Sequence, residues 1–300
     1  MRMRKHPVAW GLVLLIALGV VLYFFFYRTG AQSGTAGSQR FSLSDKIGVV
    51  PIEGIITDSL EIIENIDEFS KDSSIAAVVL RIDSPGGGVA ASQEIYDAVV
   101  ALKKKKKVVV SMGSVAASGG LLIACAGDKI VANPGTITGS ISAIMQFANV
   151  EELLKKVGVK SSVVKSGQYK DIGSPMREMT PEERLIIQEL VDDIYNQFID
   201  VIVKDRKLTR EQVIAIGDGR VFSGRKAKEY GLVDQLGDMA SAAKLASQLA
   251  GKDGTYDLVY PKKKHPSFFD LMFESAANQL SRSVKATAEK QGGVSYLYRP

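Results

Sequence analysis

An α/β fold, with buried strands joined by helical crossovers, is what this sequence predicts, and three observations predict it. Short runs rich in Val and Ile recur along the chain, helical patterns lie between them, and two glycine-rich turns each stand where a run ends and a helical pattern begins. The runs occupy residues 47–52, 75–82, 108–112, 129–132 and 159–164. Such runs are read as apolar on both faces, the pattern of buried strands joined by helical crossovers. Between the second and third runs, Ile95, Ala98, Val99 and Leu102 mark one face of a helix over 89–102. The five lysines at 103–107 follow it as a solvated end, where cations favour the helix dipole. A longer helix begins at Pro181, with Thr180 as cap and Glu183 closing a capping box. It carries Ile187, Leu190, Val191, Ile194, Phe198, Val201 and Ile202 as an apolar stripe to about residue 203, fit for packing within or between subunits. A second box, Thr209 with Gln212, opens a shorter helix that ends near Gly217.

The 300 residues, 46% apolar and 24% charged, supply ample core for one large domain or two small ones, which excludes disorder. Net charge is +5, yet residues 1–40 hold five bases and no acid, and the stretch from residue 262 onward is also basic. The middle is therefore acidic on balance, unlike a nucleic-acid binder, whose basic charge concentrates on the folded face that meets phosphate. Residues 8–27 contain no charge, and a helix of that length spans a hydrocarbon core of about 30 Å. With Arg2, Arg4 and Lys5 before it, the expectation is an uncleaved single-pass anchor. Residues 1–7 are then cytoplasmic and the remainder extracytoplasmic at the cell membrane. Residues 28–40 read as a flexible linker, 41–260 as the main domain, and 261–300 as a basic, then amphipathic, segment and tail.

Cys125 is the only cysteine, so an intrachain disulfide and a multi-cysteine zinc site are both excluded; it lies in an apolar run and reads as core. The turn Asp83-Ser84-Pro85-Gly86-Gly87-Gly88 lacks the Lys-Ser/Thr ending of a P-loop and the spacing of a dinucleotide fingerprint. The turn Ala116-Ala117-Ser118-Gly119-Gly120 puts a hydroxyl at a helix start with the Gly119 amide beside it. That suits a nucleophile next to an oxyanion donor, and equally a plain helix cap. If Ser118 is a nucleophile, its base is not histidine: the two histidines are His6, before the apolar stretch, and His265, in a basic tail. The first glycine of a G-x-S-x-G elbow is also missing. Lysine, desolvated so that it can accept a proton, is the favoured base. The S-x-x-K pattern does not locate it, since it occurs at Ser162/Lys165, Ser223/Lys226 and Ser241/Lys244.

Five ordered segments resemble the bacterial signal peptide peptidase A family of serine-lysine peptidases, in its short membrane-anchored form. They are Asp83 to Gly88; Ser111-Met112-Gly113-Ser114-Val115-Ala116-Ala117-Ser118-Gly119-Gly120; Thr138-Gly139-Ser140; Ser166-Gly167-Gln168-Tyr169-Lys170-Asp171; and Gly219-Arg220-Val221-Phe222-Ser223-Gly224 with Ala227 and Gly231-Leu232-Val233-Asp234. The chain departs from the family at Leu121, where an aromatic is common, which is expected to alter packing rather than chemistry. The resemblance implies a Clp/crotonase-like fold of repeated ββα units. It implies Ser118 as nucleophile, Lys170 as general base, the Gly119 and Gly87 amides as the oxyanion hole with Gly86 supporting, and Ser140 orienting the lysine. It implies no metal and no cofactor. It further implies a homo-oligomer, octameric by analogy, whose sites take serine and lysine from neighbouring subunits, acting on leftover signal peptides and other extended chains. The apolar end, Val294 to Tyr298, can lie in the chain's own peptide groove or stay outside it. Two rival readings are a crotonase-type acyl-CoA enzyme, disfavoured by an extracytoplasmic domain, and a membrane-tethered ring that binds peptides without cutting them.

Overall fold

A computed structural model of the protein describes residues 45–252, 254–262 and 295–297. The apolar stretch 8–27, the linker 28–40, the amphipathic stretch beyond residue 262 and both histidines lie outside the described residues. In chain order the elements begin with β1 (Asp45–Glu53), α1 (Leu60–Lys71), β2 (Ile75–Ser84), β3 (Gly86–Gly88), α2 (Val89–Lys103) and β4 (Lys107–Ala117). There follow α3 (Gly119–Cys125), β5 (Lys129–Ala132), β6 (Ile137–Gly139), α4 (Glu151–Lys156), α5 (Pro181–Arg206) and α6 (Arg210–Ile216). The rest are β7 (Val221–Ser223), α7 (Gly224–Glu229), β8 (Gln235–Leu236), α8 (Met239–Leu249), β9 (Tyr256–Val259) and β10 (Ser295–Leu297).

The main sheet runs β7-β6-β4-β2-β1-β9, with β5 and β6 sharing one side of β4 and β8 extending β5. Its pairings are parallel except β6 with β7, so the fold is α/β with a mixed, mostly parallel sheet. Successive residues of the central strands bury on opposite faces. Val78, Leu80, Val108, Val110 and Ile130 join the core under α1, α2, α3 and α5, while Ile47, Ala77, Val79, Val109 and Val131 pack with Ala242, Ala243 and Ala246 of α8. Two covered faces are what the unalternating Val/Ile runs require. Leu121 and Cys125 are fully buried, and burial pushes the Cys125 thiol up to about 12, so it is a packing residue.

The run at 159–164 departs from expectation: it forms no strand, and Val159, Val163 and Val164 are exposed, Val164 entirely. Only its ends are valine; Lys160, Ser161 and Ser162 between them leave too little apolar surface for a strand covered on both faces. One of the five lysines also departs from a purely solvated role. The Lys106 ammonium donates to the carbonyl of Ile75 at 2.9 Å and to that of Asp72, tying the end of α2 to the α1–β2 turn. On α5, both halves of the Thr180–Glu183 capping box form, and Ile194, Phe198 and Ile202 reach the core. Leu185, Ile186 and Leu190, nearer its N-terminus, remain exposed.

Candidate active site

Strand β4 delivers Ser118 by way of a bulge. Ile82 pairs with Met112 and Ser84 with Ala116, so Asp83 of β2 alone faces Gly113, Ser114 and Val115. The extra residues bend the strand end, as bulges beside functional sites do. The bend is held from both sides: the Val115 amide donates to Asp83 Oδ1 at 3.0 Å, Thr136 Oγ1 donates to the Gly113 carbonyl at 2.7 Å, and Thr138 Oγ1 to that of Ala116 at 2.6 Å. A Cβ on Gly113 would stand 2.7 Å from the Asp83 carboxyl carbon, so the close approach demands glycine.

Ser118 follows with φ 53° and ψ −118°, a conformation that costs a non-glycine residue about 1–3 kcal/mol. Its amide donates to the Gly139 carbonyl at 2.9 Å and its carbonyl accepts from the Leu122 amide at 2.9 Å, which clamps the peptide on both sides. The side chain does not cap α3, so the plain helix-cap reading fails. Ser118 is 1% exposed and its Oγ has no hydrogen-bond partner among the described residues. A strained, buried, unpartnered hydroxyl at the mouth of a glycine-rich turn contributes nothing to stability, and it is poised for chemistry.

Facing it, β3 is pinned to residue 56: the Ile56 amide donates to the Gly86 carbonyl at 2.9 Å and the Gly88 amide to the Ile56 carbonyl at 2.8 Å. Because peptide groups alternate along an extended chain, the Gly87 amide and carbonyl face the other way, into a groove. β10 lies in that groove, antiparallel to β3, with Ser295, Tyr296 and Leu297 opposite Gly88, Gly87 and Gly86. The chain's own end therefore occupies it, deciding the alternative that its sequence left open. A Cβ on Gly87 would fall 2.0 Å from the Ile56 carbonyl oxygen, and one on Gly119 would fall 2.4 Å from Ser92 Oγ and 3.4 Å from the Gly86 Cα. The absence of side chains there brings the two backbones close. Ser92, fully buried on α2, also donates to the Gly88 carbonyl at 2.9 Å, so one side chain braces both turns. Its place, four residues after the glycine run, carries no motif that singles it out in sequence.

Ser140 lies beside this centre, at φ 53° and 7% exposed, its amide on the Arg220 carbonyl at 2.8 Å and its neighbour Gly139 receiving the Ser118 amide. The structure thus gathers Ser118, Gly119, Gly86, Gly87 and Ser140. It does not bring Lys170 to them: Lys170 is exposed in the irregular stretch before α5, and no described residue bonds to its ammonium. Its neighbour Asp171 is held by Arg177, whose Nε and Nη2 donate to the two carboxylate oxygens at 2.9 Å each, and by Lys165. Arg177 also grips Glu183, at 2.7 Å from Nη1 and 2.5 Å from Nη2. The guanidinium keeps the Asp171 carboxyl well below the usual carboxylate range and, with the Thr180 amide, holds that of Glu183 down to about 2. Beside Ser142 and Asp218, a cleft of about 1000 Å³ opens between residues 142–149 and α5, with Phe147, Ile187 and Val191 in its lining.

Comparison with known proteins fits this geometry. The Peptidase family S49 profile matches residues 100–253 and that of Clp protease matches residues 47–137. The chain is 45% identical over 219 residues to the putative protease slr0021 of Synechocystis, covering 71% of this chain and 78% of that one. It is 35% identical over 206 residues to the putative signal peptide peptidase SppA of Enterococcus faecium, covering 64% and 60%. With Protease 4 of Salmonella typhi it shares 36% over 216 residues, 72% of this chain but only 34% of that longer protein. With more than half of its length matched by the family profile, and the Ser118 turn inside the match, the chain belongs to peptidase family S49 and is a serine protease.

Proposed function

We propose that this protease is a membrane-anchored serine endopeptidase that degrades residual signal peptides and other extended chains with a Ser118–Lys170 dyad. The observation that carries the reading is the groove. An extended segment pairs with Gly86–Gly88 immediately beside the strained, unpartnered Ser118. A substrate strand laid on β3 in this way is recognised through its backbone, so it must be unfolded, and its sequence matters only where side chains meet the groove walls. In the proposed reaction a neutral Lys170 takes the Ser118 proton as Oγ attacks the peptide carbonyl. The Gly87 and Gly119 amides receive the developing oxyanion, the leaving amine departs with a proton, and water frees the acyl-enzyme. Ser140 orients the incoming ammonium. The close approach of Gly119 to Gly86 and the pairing of Gly86–Gly88 with an extended segment support these roles. The anchor at 8–27, with the catalytic domain outside the cytoplasm, rests on the sequence.

Sharing of sites between subunits, in an octamer of domains built from repeated ββα units, accounts for two features at once. No base among the described residues reaches Ser118, and Lys170 stands exposed at the end of a stretch carrying exposed Val159, Val163, Val164 and Tyr169. The cleft beside Ser142 is large enough to admit such a stretch from another copy. The same separation of Ser118 from Lys170 favours a second reading, a ring that binds peptides without cutting them. One experiment separates the two: Ser118→Ala and Lys170→Ala, each inactive alone on a fluorogenic peptide, are co-expressed as one mixed oligomer. Random mixing gives an intact serine with a neighbour's intact lysine at one in four oriented interfaces, so about a quarter of wild-type activity should return. No return would place both residues in one subunit, and a wild type that cuts nothing, even without its tail, would favour the silent ring.

The tail makes a separate prediction. A tethered strand competes with substrate at an effective concentration of order mM, so deleting residues 294–300 should raise kcat/KM for short peptides about 2–10-fold, chiefly through KM. An unchanged KM would show that β10 does not compete.

A further inference from the structure

Little of the hydrophobic core reaches Lys170. Residues 157–170 are exposed throughout and form neither helix nor strand. Yet a general base has to be placed to within a fraction of an ångström. The placement comes from the far side of the lysine. All five N–H groups of Arg177 are engaged: Nε and Nη2 on the Asp171 carboxylate at 2.9 Å each, Nη1 and Nη2 on the Glu183 carboxylate at 2.7 and 2.5 Å, and Nη1 on the Glu178 carbonyl at 3.0 Å. Nη2 also reaches the Asp171 backbone carbonyl at 3.3 Å. Glu183 is 3% exposed and fixed to its own helix, accepting from the Thr180 amide at 3.0 Å while its amide donates to Thr180 Oγ1 at 3.2 Å. From there α5 runs into the core through Ile194, Phe198 and Ile202, where it packs on α3, the helix that begins at Gly119.

We infer that Arg177 is a positioning residue for the general base: its planar fork locks Asp171 to the first turn of α5 and thereby sets the direction in which the adjacent Lys170 projects. The inference rests on the Ser118–Lys170 reading. The chemistry calls for arginine in particular. A guanidinium binds two carboxylates edge-on and fixes their relative orientation, whereas a lysine ammonium in the same place keeps the charge and loses the plane. Lys165, on the same Asp171 carboxylate and on the Gln168 carbonyl at 2.6 Å, braces the segment from the other side without a fork.

The test uses the full chain with Arg177→Lys, Asp171→Asn and the double variant, measuring kcat and KM separately, melting temperature and oligomer mass. Arg177→Lys should lower kcat about 10–100-fold with KM within about twofold. Asp171→Asn should act in the same direction, and the double variant should be no worse than Arg177→Lys, since both changes break one link. A change in melting temperature with kcat unmoved would mean that the fork only stabilises α5, and would overturn the inference. So would a loss of kcat that tracks loss of oligomer mass, or a double variant whose deficit is the product of the two singles. Activity surviving Lys170→Ala removes the dyad and this inference together, whereas inactive Lys170→Ala beside fully active Arg177→Lys overturns the positioning role alone.

Discussion

Ser118→Ala is expected to lower kcat/KM for peptides about 10⁴–10⁶-fold while the protein remains folded and becomes no less stable. The two halves of that expectation come from the same geometry. The hydroxyl is buried, has no hydrogen-bond partner among the described residues and sits on a backbone at φ 53°, so the native state gains nothing from it. Removing a buried polar group that makes no bond is neutral or stabilises by about 1 kcal/mol. Ser118→Gly goes further, since glycine adopts this backbone without penalty, and a gain of about 1–3 kcal/mol is expected beside the same loss of activity. Thermal denaturation and peptide hydrolysis measured on the three proteins check both halves. A Ser118→Gly protein that melts below wild type would show that the φ value carries no strain, and appreciable peptidase activity in Ser118→Ala would remove Ser118 as nucleophile.

The central layers of the fold are legible in the sequence because they rest on local patterns. The Val/Ile runs at 47–52, 75–82, 108–112 and 129–132 become β1, β2, β4 and β5, and both capping boxes, at Thr180 and Thr209, form. The run at 159–164 fails because its middle is Lys160-Ser161-Ser162, too polar to be buried on two faces, and the whole stretch is exposed. The tail fares better: Val294 to Tyr298 is apolar enough in sequence to lie in a peptide groove, and residues 295–297 pair with β3, where three glycines expose an unshielded edge. At the site, the two glycine turns and Ser118 can be found in sequence from motif and turn chemistry. Ser92, Asp83 and Arg177 cannot, since their importance comes from which distant backbone each side chain reaches. Lys170 stands apart: the resemblance names it, and a single chain leaves it away from the serine.

Gly119, the residue after Ser118, allows the closeness of the two turns to be tested. Gly119→Ala puts a methyl 2.4 Å from Ser92 Oγ, below any real carbon–oxygen contact, while the next neighbours, Ser92 Cβ at 3.3 Å and the Gly86 Cα at 3.4 Å, are tight but tolerable. The Gly119 φ value raises no objection of its own, so the effect of the substitution is steric. Ser92 is fully buried on α2 and cannot swing out, and the turns must part by about an ångström. Oxyanion donors set to one position lose most of their effect at that displacement, and a single donor is worth about 10²–10³ in kcat, so Gly119→Ala should lower kcat about 100-fold or more. Adding Ser92→Ala removes the clashing oxygen and leaves only the tight but tolerable contacts at 3.3 and 3.4 Å. The double variant should then recover at least about tenfold of the loss, even though Ser92→Ala alone, which unties the Gly88 carbonyl, should lower activity. Rescue of one damaging change by another requires that the two turns be in contact through this atom. If the double variant is as inactive as Gly119→Ala, the methyl itself blocks the peptide groove, and Gly119 is conformationally indispensable for substrate entry rather than for the approach of the two amides.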